Sequence, residues 1–363
     1  MPLSKVNPEL YQQQLDVKAQ RIREQFSEFD PPLLRVYDSP PLHFRQRAEF
    51  KVWHEGDDSY YAMFLREQPK SPVRIDSFPI GSTLMNTLMD RVMEEVRGSE
   101  TLRRKLFQVE FLTTLSGEAL VTLIYHRALD DNWRQQAGAM QESLGIKMIG
   151  RSKKQKLVLS DDFVTETLSV DGRHFQFQQV ENSFTQPNAT VNQKMLEWAR
   201  AHSQAIGGDM LELYCGNGNF TAVLAQNFDR VLATEISKTS VRSAKINFEA
   251  NGVDNVTVVR MSSEEFSAAM DQLRPFRRLA NIDLQDYRFS TVLVDPPRAG
   301  LDDHTEKMVA RFDHIIYISC NPDTLHHNLL HLCKSHTISQ FAIFDQFPYT
   351  DHVECGVMLE RRR

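Results

Sequence analysis

Apolar residues recur at helical and strand spacings along the chain, and the two halves combine these spacings differently. In the first half, apolar positions three and four apart predict helices over residues 8–28 and around residues 84–96. The strands predicted between and after these helices cover residues 48–53, 60–65, 106–115 and 119–126. We therefore expect an α+β N-terminal domain over residues 1–180.

From residue 182 onwards, predicted strands and helices alternate to the end of the chain. The predicted strands cover residues 231–235, 255–260, 290–294, 314–318, 337–344 and 353–360, and two of the predicted helices cover residues 238–250 and 263–270. This alternation is typical of α/β proteins with a mostly parallel sheet. We expect a Rossmann-like α/β domain over residues 181–363, with its ligands at the carboxyl ends of the strands.

A glycine turn follows a short apolar strand in the segment 209–220. Gly216 and Gly218 allow the backbone to approach a ligand closely, and Asn219 is predicted to cap the helix that follows. Glu235, at the end of the next strand, is the acidic residue expected to meet a ribose. The segment therefore predicts a site for a nucleoside-containing cofactor.

Two residues distinguish between the cofactors that suit such a turn. A dinucleotide site requires a small residue where this chain has Thr221. Glu212, four residues before Gly216, instead resembles the first motif of S-adenosylmethionine (SAM) methyltransferases. SAM is therefore favoured, while a nicotinamide cofactor and a purely structural glycine turn remain the alternatives.

A rigid turn, Asp295-Pro296-Pro297-Arg298, follows the predicted strand 290–294. The prolines prevent the strand from continuing and would hold the Asp295 carboxylate beside a cofactor, although a plain turn is the alternative. Some methyltransferases that act on amino groups carry an aromatic residue after the prolines. Arg298 occupies that position here, which counts against an exocyclic nitrogen as the methyl acceptor.

A single cysteine, Cys320, follows the strand 314–318 in the sequence Ser319-Cys320-Asn321-Pro322. A lone cysteine is most often a small buried apolar residue. Here, however, a helix that begins with proline follows at once, and its free amides favour a thiolate. Cys320 is therefore the candidate nucleophile.

A thiolate is what methylation of carbon 5 of uracil requires. That carbon is a poor nucleophile until a thiolate adds to carbon 6, and a base must then remove the carbon 5 proton before the thiol can leave. Glu354, at the start of the last predicted strand, is the candidate base. A loop carboxylate without a catalytic role is the alternative, and Asp351 and His352 are equally titratable.

Composition restricts the remaining possibilities. The 363 residues carry a net charge of −6, which argues against holding nucleic acid by bulk electrostatics. The four cysteines form no C-x-x-C pair, so neither a zinc nor an iron-sulfur site is indicated. No apolar run approaches membrane-spanning length and the amino terminus lacks an apolar signal segment, so we expect a cytoplasmic protein that is monomeric by default.

Three basic clusters lie in the first half of the chain. They are Arg45, Arg47 and Lys51; Arg103, Arg104 and Lys105; and Arg151, Lys153, Lys154 and Lys156. Any single cluster is explained by ordinary surface charge. Together with the interleaved aromatic residues Phe44, Phe107, Tyr125 and His126, they make this half a plausible RNA surface, because RNA loops are bound by stacking and phosphate contacts.

The combination of these motifs resembles the RNA 5-methyluridine methyltransferases. The matching segments are Phe184-Thr185-Gln186-Pro187-Asn188, residues 212–220, Asp295-Pro296-Pro297-Arg298, Ser319-Cys320-Asn321-Pro322 and Asp351-His352-Val353-Glu354. Within this family the chain is similar, over nearly its whole length, to the bacterial tRNA (uracil-5-)-methyltransferase branch. The ribosomal RNA branch typically adds an oligonucleotide-binding domain and a cysteine-rich iron-sulfur site, and neither is found in this sequence.

The resemblance implies a role for each matching residue. It implies that Cys320 is the nucleophile and Glu354 the base, and that the SAM contacts are Gln186, Tyr214, Asn219, Glu235 and Asp295. It also implies uridine 54 of the tRNA T-loop as the substrate, with ribothymidine as the product and the similar arm of tmRNA as a further substrate. No metal is implied.

Other functions remain open at the level of sequence. The same thiolate chemistry serves 5-methylcytidine formation, although the Ser319-Cys320 strand end lacks the Pro-Cys dipeptide expected there. A ribosomal uridine is another possible acceptor. From a different class, the chain could be an RNA-binding or RNA-folding factor whose methylation is secondary.

Overall fold

The computed structural model describes residues 5–65 and 68–363. These residues form two compact units that interleave along the chain. The N-unit comprises the residues up to Pro8, Pro40–Thr167 and Gln179–Ala189, and the C-unit comprises Glu9–Ser39, Leu168–Gln178 and Thr190–Arg363. The amino-terminal helix and strand therefore belong to the same unit as the predicted α/β domain.

The helices and strands are labelled in chain order. The helices are α1 Tyr11–Gln25, α2 Thr83–Gly98, α3 Glu100–Arg103, α4 Asp131–Leu144, α5 Ala189–Ser203, α6 Asn219–Leu224, α7 Lys238–Ala250, α8 Ser263–Met270, α9 Asp303–Val309 and α10 Pro322–Leu332. The strands are β1 Arg35–Tyr37, β2 Arg47–Glu55, β3 Asp58–Leu65, β4 Gln68–Ile75, β5 Leu106–Thr113, β6 Ala119–Tyr125, β7 Lys147–Ser152, β8 Gln155–Val158, β9 Phe163–Val170, β10 Arg173–Val180, β11 Asp209–Leu213, β12 Arg230–Thr234, β13 Val256–Val259, β14 Phe289–Val294, β15 His314–Ser319, β16 His336–Phe344 and β17 Glu354–Arg361.

The sheet of the C-unit confirms the predicted α/β class. Its strand order is β1-β16-β17-β15-β14-β11-β12-β13. The strands run parallel except for β17, which pairs antiparallel with β15 on one side and β16 on the other. Because β17 runs the opposite way, its amino end lies at the same edge as the carboxyl ends of its neighbours.

The central strands are buried because apolar residues fill both of their faces. In β16, Ile343 belongs to a core cluster that also contains residues of α1, α8, α9 and α10. The next residue, Phe344, points to the opposite face and packs against Trp198 of α5, with ring centroids 5.9 Å apart. The core therefore extends over both faces of the sheet, as a doubly wound fold requires.

The N-unit is built on a mixed sheet of order β4-β3-β2-β5-β6-β7-β8, in which β6 and β7 run parallel. Helix α2 begins after Ser82, whose hydroxyl accepts a hydrogen bond from the Met85 amide at 3.1 Å. Its buried face consists of Met85, Leu88, Met89, Val92, Met93 and Val96. The mixed sheet and its helices form the α+β architecture expected from the sequence.

Candidate active site

The glycine turn after β11 adopts the left-handed backbone that its sequence requires. Tyr214, Gly216 and Gly218 have φ values of 61°, 56° and 80°. A Cβ atom at Gly218 would lie 2.5 Å from the Phe248 ring of α7, whereas one at Gly216 would meet no atom within 4 Å. Gly218 therefore permits close helix packing, and Gly216 leaves open space beside the turn.

Asn219 does not cap helix α6 as the sequence analysis expected. The capping position is Gly218, and no side chain caps this helix. The Asn219 amide instead exchanges two hydrogen bonds with Asn192 of α5, at 2.8 and 3.0 Å. A partner distant in the sequence, which local capping preference does not predict, orients this side chain.

Glu235 lies at the carboxyl end of β12 and faces the glycine turn. Its two carboxylate oxygens accept hydrogen bonds from the backbone amides of Gly216, at 3.1 Å, and Ser237, at 2.6 Å. Each oxygen retains a second lone pair for a ligand hydroxyl. The next side chain, Ile236, is 64% exposed although it is apolar.

Two carboxyl groups, the buried Glu212 and the half-buried Asp295, lie at the ends of the neighbouring strands. Burial raises the pKa of Glu212 to about 8 and the pKa of Asp295 to about 7. Tyr214 follows β11, and its hydroxyl donates to Ser263 Oγ of α8 at 2.7 Å. The register pairs Leu213 with Val294, so Tyr214 and Asp295 follow neighbouring positions at the same sheet edge.

Strand pairing brings Cys320 and Glu354 together. β15 and β17 are antiparallel, with Ser319 opposite Cys355. One further step along both strands sets Cys320 opposite Glu354, and Cα atoms of facing residues in such pairs are about 5 Å apart. The candidate nucleophile and the candidate base are therefore neighbours, although 33 residues separate them in the sequence.

The environment of Cys320 does not favour a thiolate as the sequence analysis expected. Partial burial, followed by the nearby carboxyls of Glu354 and Asp295, raises the pKa of the Cys320 thiol to about 11. The Arg298 guanidinium acts in the opposite direction but is outweighed. Helix α10 begins with Pro322 as predicted, yet loss of hydration dominates over its amides.

Glu354 is almost fully buried, with 4% of its surface exposed. Burial and the neighbouring Asp295 raise the pKa of Glu354 to about 8, and Arg298 partly offsets this increase. A carboxyl with such a pKa is poised to exchange protons near neutral pH. The group thus has the position and the proton affinity of a general base.

The remaining cysteines have structural surroundings. Cys215 and Cys355 are buried, and Cys333 is half-buried at the end of α10. Among residues 5–65 and 68–363, no group of three or more histidine, cysteine or acidic side chains is arranged to hold a metal. In the same residues, no helix combines the length and apolar character needed to cross a membrane.

Gln186 is the one predicted cofactor contact that lies outside the C-unit. It is half-buried in the loop after β10, within the segment 179–189 of the N-unit. Five of the other predicted site residues lie at or next to strand ends of a single sheet edge, namely Tyr214, Glu235, Asp295, Cys320 and Glu354, and Asn219 is the first residue of α6. Their catalytic and binding roles stay predictions.

Two arginines of the basic clusters in the N-unit form hydrogen bonds or an ion pair within the protein. Arg103 donates to Ser59 Oγ at 2.9 Å and also binds the Gly56 carbonyl, so it holds the turn between β2 and β3. Arg151 forms a two-bond ion pair with Glu181. These two arginines therefore serve internal contacts, and neither is the ordinary surface charge nor the free phosphate contact that the sequence analysis weighed.

The N-unit also carries a stack of two aromatic rings and a lysine ammonium. The Phe107 and His126 rings stack with centroids 4.1 Å apart, and the Lys51 ammonium lies 3.9 Å from the Phe107 centroid. Phe44 and Tyr125, also named in the sequence analysis, are buried and unavailable to a ligand. Phe107 is half-buried and His126 is exposed, so these two members of the aromatic set retain accessible surface.

Comparison with known proteins identifies the family. A family model described as tRNA (Uracil-5-)-methyltransferase matches residues 10–362. The chain belongs to this family. It is 55% identical to the tRNA/tmRNA (uracil-C(5))-methyltransferase of Saccharophagus degradans, over 99% of each chain. It is 57% identical to the protein of the same name from Chromohalobacter salexigens, over 100% of this chain and 98% of the relative.

A solved structure supports the fold of this family member. The tRNA (uracil-54, C5)-methyltransferase of Pyrococcus abyssi, in complex with S-adenosyl-L-homocysteine, superposes with a TM-score of 0.71. The alignment covers 96% of this chain and 83% of the Pyrococcus chain at 22% identity. At this level of identity, the similarity establishes the shared fold.

Sequence reasoning missed contacts that surround the site. The sequence shows that the apolar Ile236 directly follows Glu235, the acid predicted to meet a ribose, but only the structure shows that Ile236 is exposed. Asn192 gave no local signal, because its partner Asn219 is 27 residues away. Pairings of this kind become visible only when the elements are assembled.

Proposed function

We propose that the chain transfers a methyl group from SAM to carbon 5 of uridine 54 in the T-loop of tRNA, forming ribothymidine. The T-loop-like arm of tmRNA is the proposed second substrate. Family membership and the names of the two bacterial relatives, which mention tRNA and tmRNA, support the substrate class. As tRNA acts in the cytoplasm, that is the proposed location, with a monomer as the acting form.

The observation that carries the proposal is the register between β15 and β17, which sets Cys320 opposite Glu354. A thiol and a carboxyl at this distance suit a reaction that needs a nucleophile and a base at adjacent carbons of one ring. Arg298, beside both groups, provides positive charge where the uracil oxyanion develops. Uracil methylation at carbon 5 uses each of these features.

The residues at the sheet edge fit SAM as the methyl donor. Glu235 offers lone pairs for the two ribose hydroxyls, and Gly216 leaves room for the cofactor backbone. The exposed side chain of Ile236 provides an apolar surface against which a purine can pack. Tyr214, Asn219 and Asp295 complete the proposed cofactor site in the C-unit, and Gln186 is proposed as a SAM contact on the resemblance of its sequence segment alone.

The reaction is a substitution at carbon 5 of uracil. When bound, SAM would supply the electrophilic methyl group, whose bond to the sulfonium sulfur breaks as its bond to carbon 5 forms, leaving S-adenosyl-L-homocysteine. The Cys320 thiolate forms a bond to carbon 6, and the electron pair of the 5,6 double bond moves towards carbon 5. Glu354 then removes the proton from carbon 5, the double bond re-forms, and the carbon 6–sulfur bond breaks to release the Cys320 thiolate.

The RNA surface is proposed to include the stack of Lys51, Phe107 and His126. Stacking on an aromatic face is worth about 1–3 kcal/mol per base, and the nearby ammonium can meet a phosphate. Exposed Arg104 and Lys105 lie next to Phe107 in the sequence and extend the positive charge. Flipping the target base costs a few kcal/mol, which these contacts offset.

The test is methyl transfer from labelled SAM to unmodified tRNA transcripts with uridine or cytidine at the target position. We expect label only with uridine; transfer to cytidine would instead indicate a 5-methylcytidine enzyme. Cys320→Ala should abolish both product and adduct, whereas Glu354→Gln should retain an adduct that survives a denaturing gel. Cys333→Ala, at a half-buried cysteine outside the site, is the matched control.

A further inference from the structure

A lysine lies on the buried face of the amino-terminal helix. Lys18 of α1 is 5% exposed and shares this face with Leu15, Ala19 and Ile22. Burial lowers the pKa of Lys18, while its partner Asp345 acts in the opposite direction. A buried ammonium is costly unless it is paired, and an apolar residue of similar size is often at least as stable. The charge therefore points to a purpose beyond stability.

The partner of Lys18 begins the loop that leads to the candidate base. Lys18 Nζ lies 2.6 Å from Asp345 Oδ1 and donates to the Phe347 carbonyl at 2.9 Å. Asp345 is fully buried and follows the last residue of β16. Residues 345–353, here called the base loop, join β16 to β17 and end directly before Glu354.

Two further residues of α1 hold the same loop. Gln14 donates to Asp345 Oδ2 at 3.0 Å and accepts from the Tyr349 amide at 3.3 Å. Arg21 donates to the Asp351 carbonyl at 2.7 Å. Gln14, Lys18 and Arg21, here called the α1 clamp, are spaced four and three residues apart and so lie on one side of the helix.

The base loop depends on such external contacts for its shape. Tyr349 has a φ of 62°, a left-handed conformation that is uncommon for a bulky residue and persists only when its surroundings enforce it. Inside the loop, the Thr350 hydroxyl donates to the Phe347 carbonyl at 2.8 Å. Glu354, the first residue of β17, has its backbone paired with Phe344 of β16, and the contacts from α1 hold the loop through which the chain enters this pair.

Cys320 is held by a different set of elements. Asn321, the next residue, donates from its side chain to the Arg298 carbonyl at 2.9 Å, and its amide donates to Ser319 Oγ at 3.2 Å. These contacts come from β15, α10 and the turn after β14. Helix α1 also reaches α10, because Gln25 donates to Asp323 Oδ1 at 2.8 Å, so a change at Arg21 rather than in the whole helix disturbs the base loop by itself.

We propose that the α1 clamp positions Glu354 for proton removal from carbon 5, and so controls release of the covalent adduct rather than its formation. The clamp residues make their hydrogen bonds to the base loop and none to Cys320, so we assign them as positioning residues that act through Glu354. The inference rests on the proposed function, because it concerns the second half of that reaction.

The test compares Arg21→Gln with the matched control Arg23→Gln in the full chain. Both arginines are exposed on α1, but the hydrogen bond to the base loop comes from Arg21. With tRNA and SAM, we expect Arg21→Gln to form the adduct at the normal rate and to release it about threefold to tenfold more slowly, the effect of one lost hydrogen bond. Arg21→Lys, which retains a donor, should restore part of the release rate, and Arg23→Gln should behave like the unmodified chain.

An isotope measurement separates positioning from a general loss of structure. With 5-deuteriouridine at the target position, a slower proton removal gives a larger primary isotope effect on turnover in Arg21→Gln than in the control. Lys18→Met should show the same signature more strongly in the fraction that folds. Equal decreases in the rates of adduct formation and adduct release, or an unchanged isotope effect, would contradict the proposed role of the α1 clamp.

Failure of the clamp and failure of the proposed function give different results. If the unmodified chain forms adduct and product while Arg21→Gln matches the control, the clamp alone is wrong. If the unmodified chain forms neither adduct nor 5-methyluridine, the proposed function and the clamp are both wrong.

Discussion

At the scale of single residues, the site combines a thiol and a carboxyl that both hold their protons tightly. Burial raises the pKa of Cys320 to about 11, and burial also raises the pKa of Glu354 to about 8. The reaction uses the deprotonated form of each group. Proton loss, rather than substrate geometry alone, is therefore expected to limit the rate near neutral pH.

The first prediction concerns adduct formation as a function of pH. Since the thiolate fraction rises about tenfold per pH unit below the pKa of Cys320, the single-turnover rate of adduct formation should rise throughout the range from about pH 6.5 to about pH 9. Rapid quenching followed by a denaturing gel measures this rate. A plateau that begins near neutral pH would contradict the raised pKa.

The second prediction concerns Arg298, whose charge lowers the pKa values of both Cys320 and Glu354. Arg298→Met removes that charge but retains much of the side-chain volume. We expect adduct formation to fall near neutral pH, because loss of this charge raises the pKa of the Cys320 thiol further, and we expect the pH profile to move to higher pH. Arg298→Lys is the control that retains the charge; if both variants lose the same activity, charge is not the cause.

At the scale of elements, the turn between β11 and α6 joins the cofactor site to helix packing. Gly218 combines a φ of 80° with contact to the Phe248 ring, while Gly216 has a φ of 56° and open space. A side chain at Gly216 would therefore meet backbone strain alone, whereas one at Gly218 would meet both strain and steric overlap with Phe248. Their substitution by alanine should have unequal costs.

The third prediction is this inequality. Gly216→Ala should lower the free energy of unfolding by about 1 kcal/mol through left-handed strain alone. Gly218→Ala should lower it by about 2–4 kcal/mol, because overlap with Phe248 adds to the strain. Urea unfolding measures both values. The double variant Gly218→Ala/Phe248→Leu should recover part of the loss, and equal costs at the two glycines would refute the packing argument.

At the scale of the whole molecule, buried carboxyl groups link stability to pH. Burial raises the pKa of Glu212 and Glu354 to about 8, and the pKa of Asp295 and Glu166 to about 7. In the unfolded chain, these groups ionise near pH 4. The folded chain therefore holds more protons than the unfolded chain above that pH, so the free energy of unfolding falls as pH rises through the folded pKa values.

The fourth prediction is a decrease in the melting temperature between about pH 7 and about pH 8, above which these carboxyls are ionised in both states and contribute no further slope. Histidines with lowered pKa, such as His336, titrate below this window and do not mask the trend. Glu212→Gln should make the decrease smaller, because it removes one of the buried ionisations. Calorimetry over this range measures the slope, and a melting temperature that rises with pH would contradict the linkage.

The sequence by itself determined the local elements and the identity of the candidate residues. Helices α7 and α8 have the bounds that were predicted, because apolar periodicity and capping serines are local signals. Cys320 and Asp295 were found at strand ends because apolar strands followed by proline-containing turns are visible in the sequence. The fold class follows from the same alternation of strands and helices.

Only the tertiary structure decided how these pieces meet. Its β17 lies antiparallel between β15 and β16, and this placement sets Glu354 beside Cys320. β1 joins the same sheet through pairing with β16, about 300 residues away in the sequence. The raised pKa of Cys320 depends on burial and on charges from other strands. Such pairings and environments arise from packing between distant segments, so the local sequence determines the site residues while the assembled fold determines their chemistry.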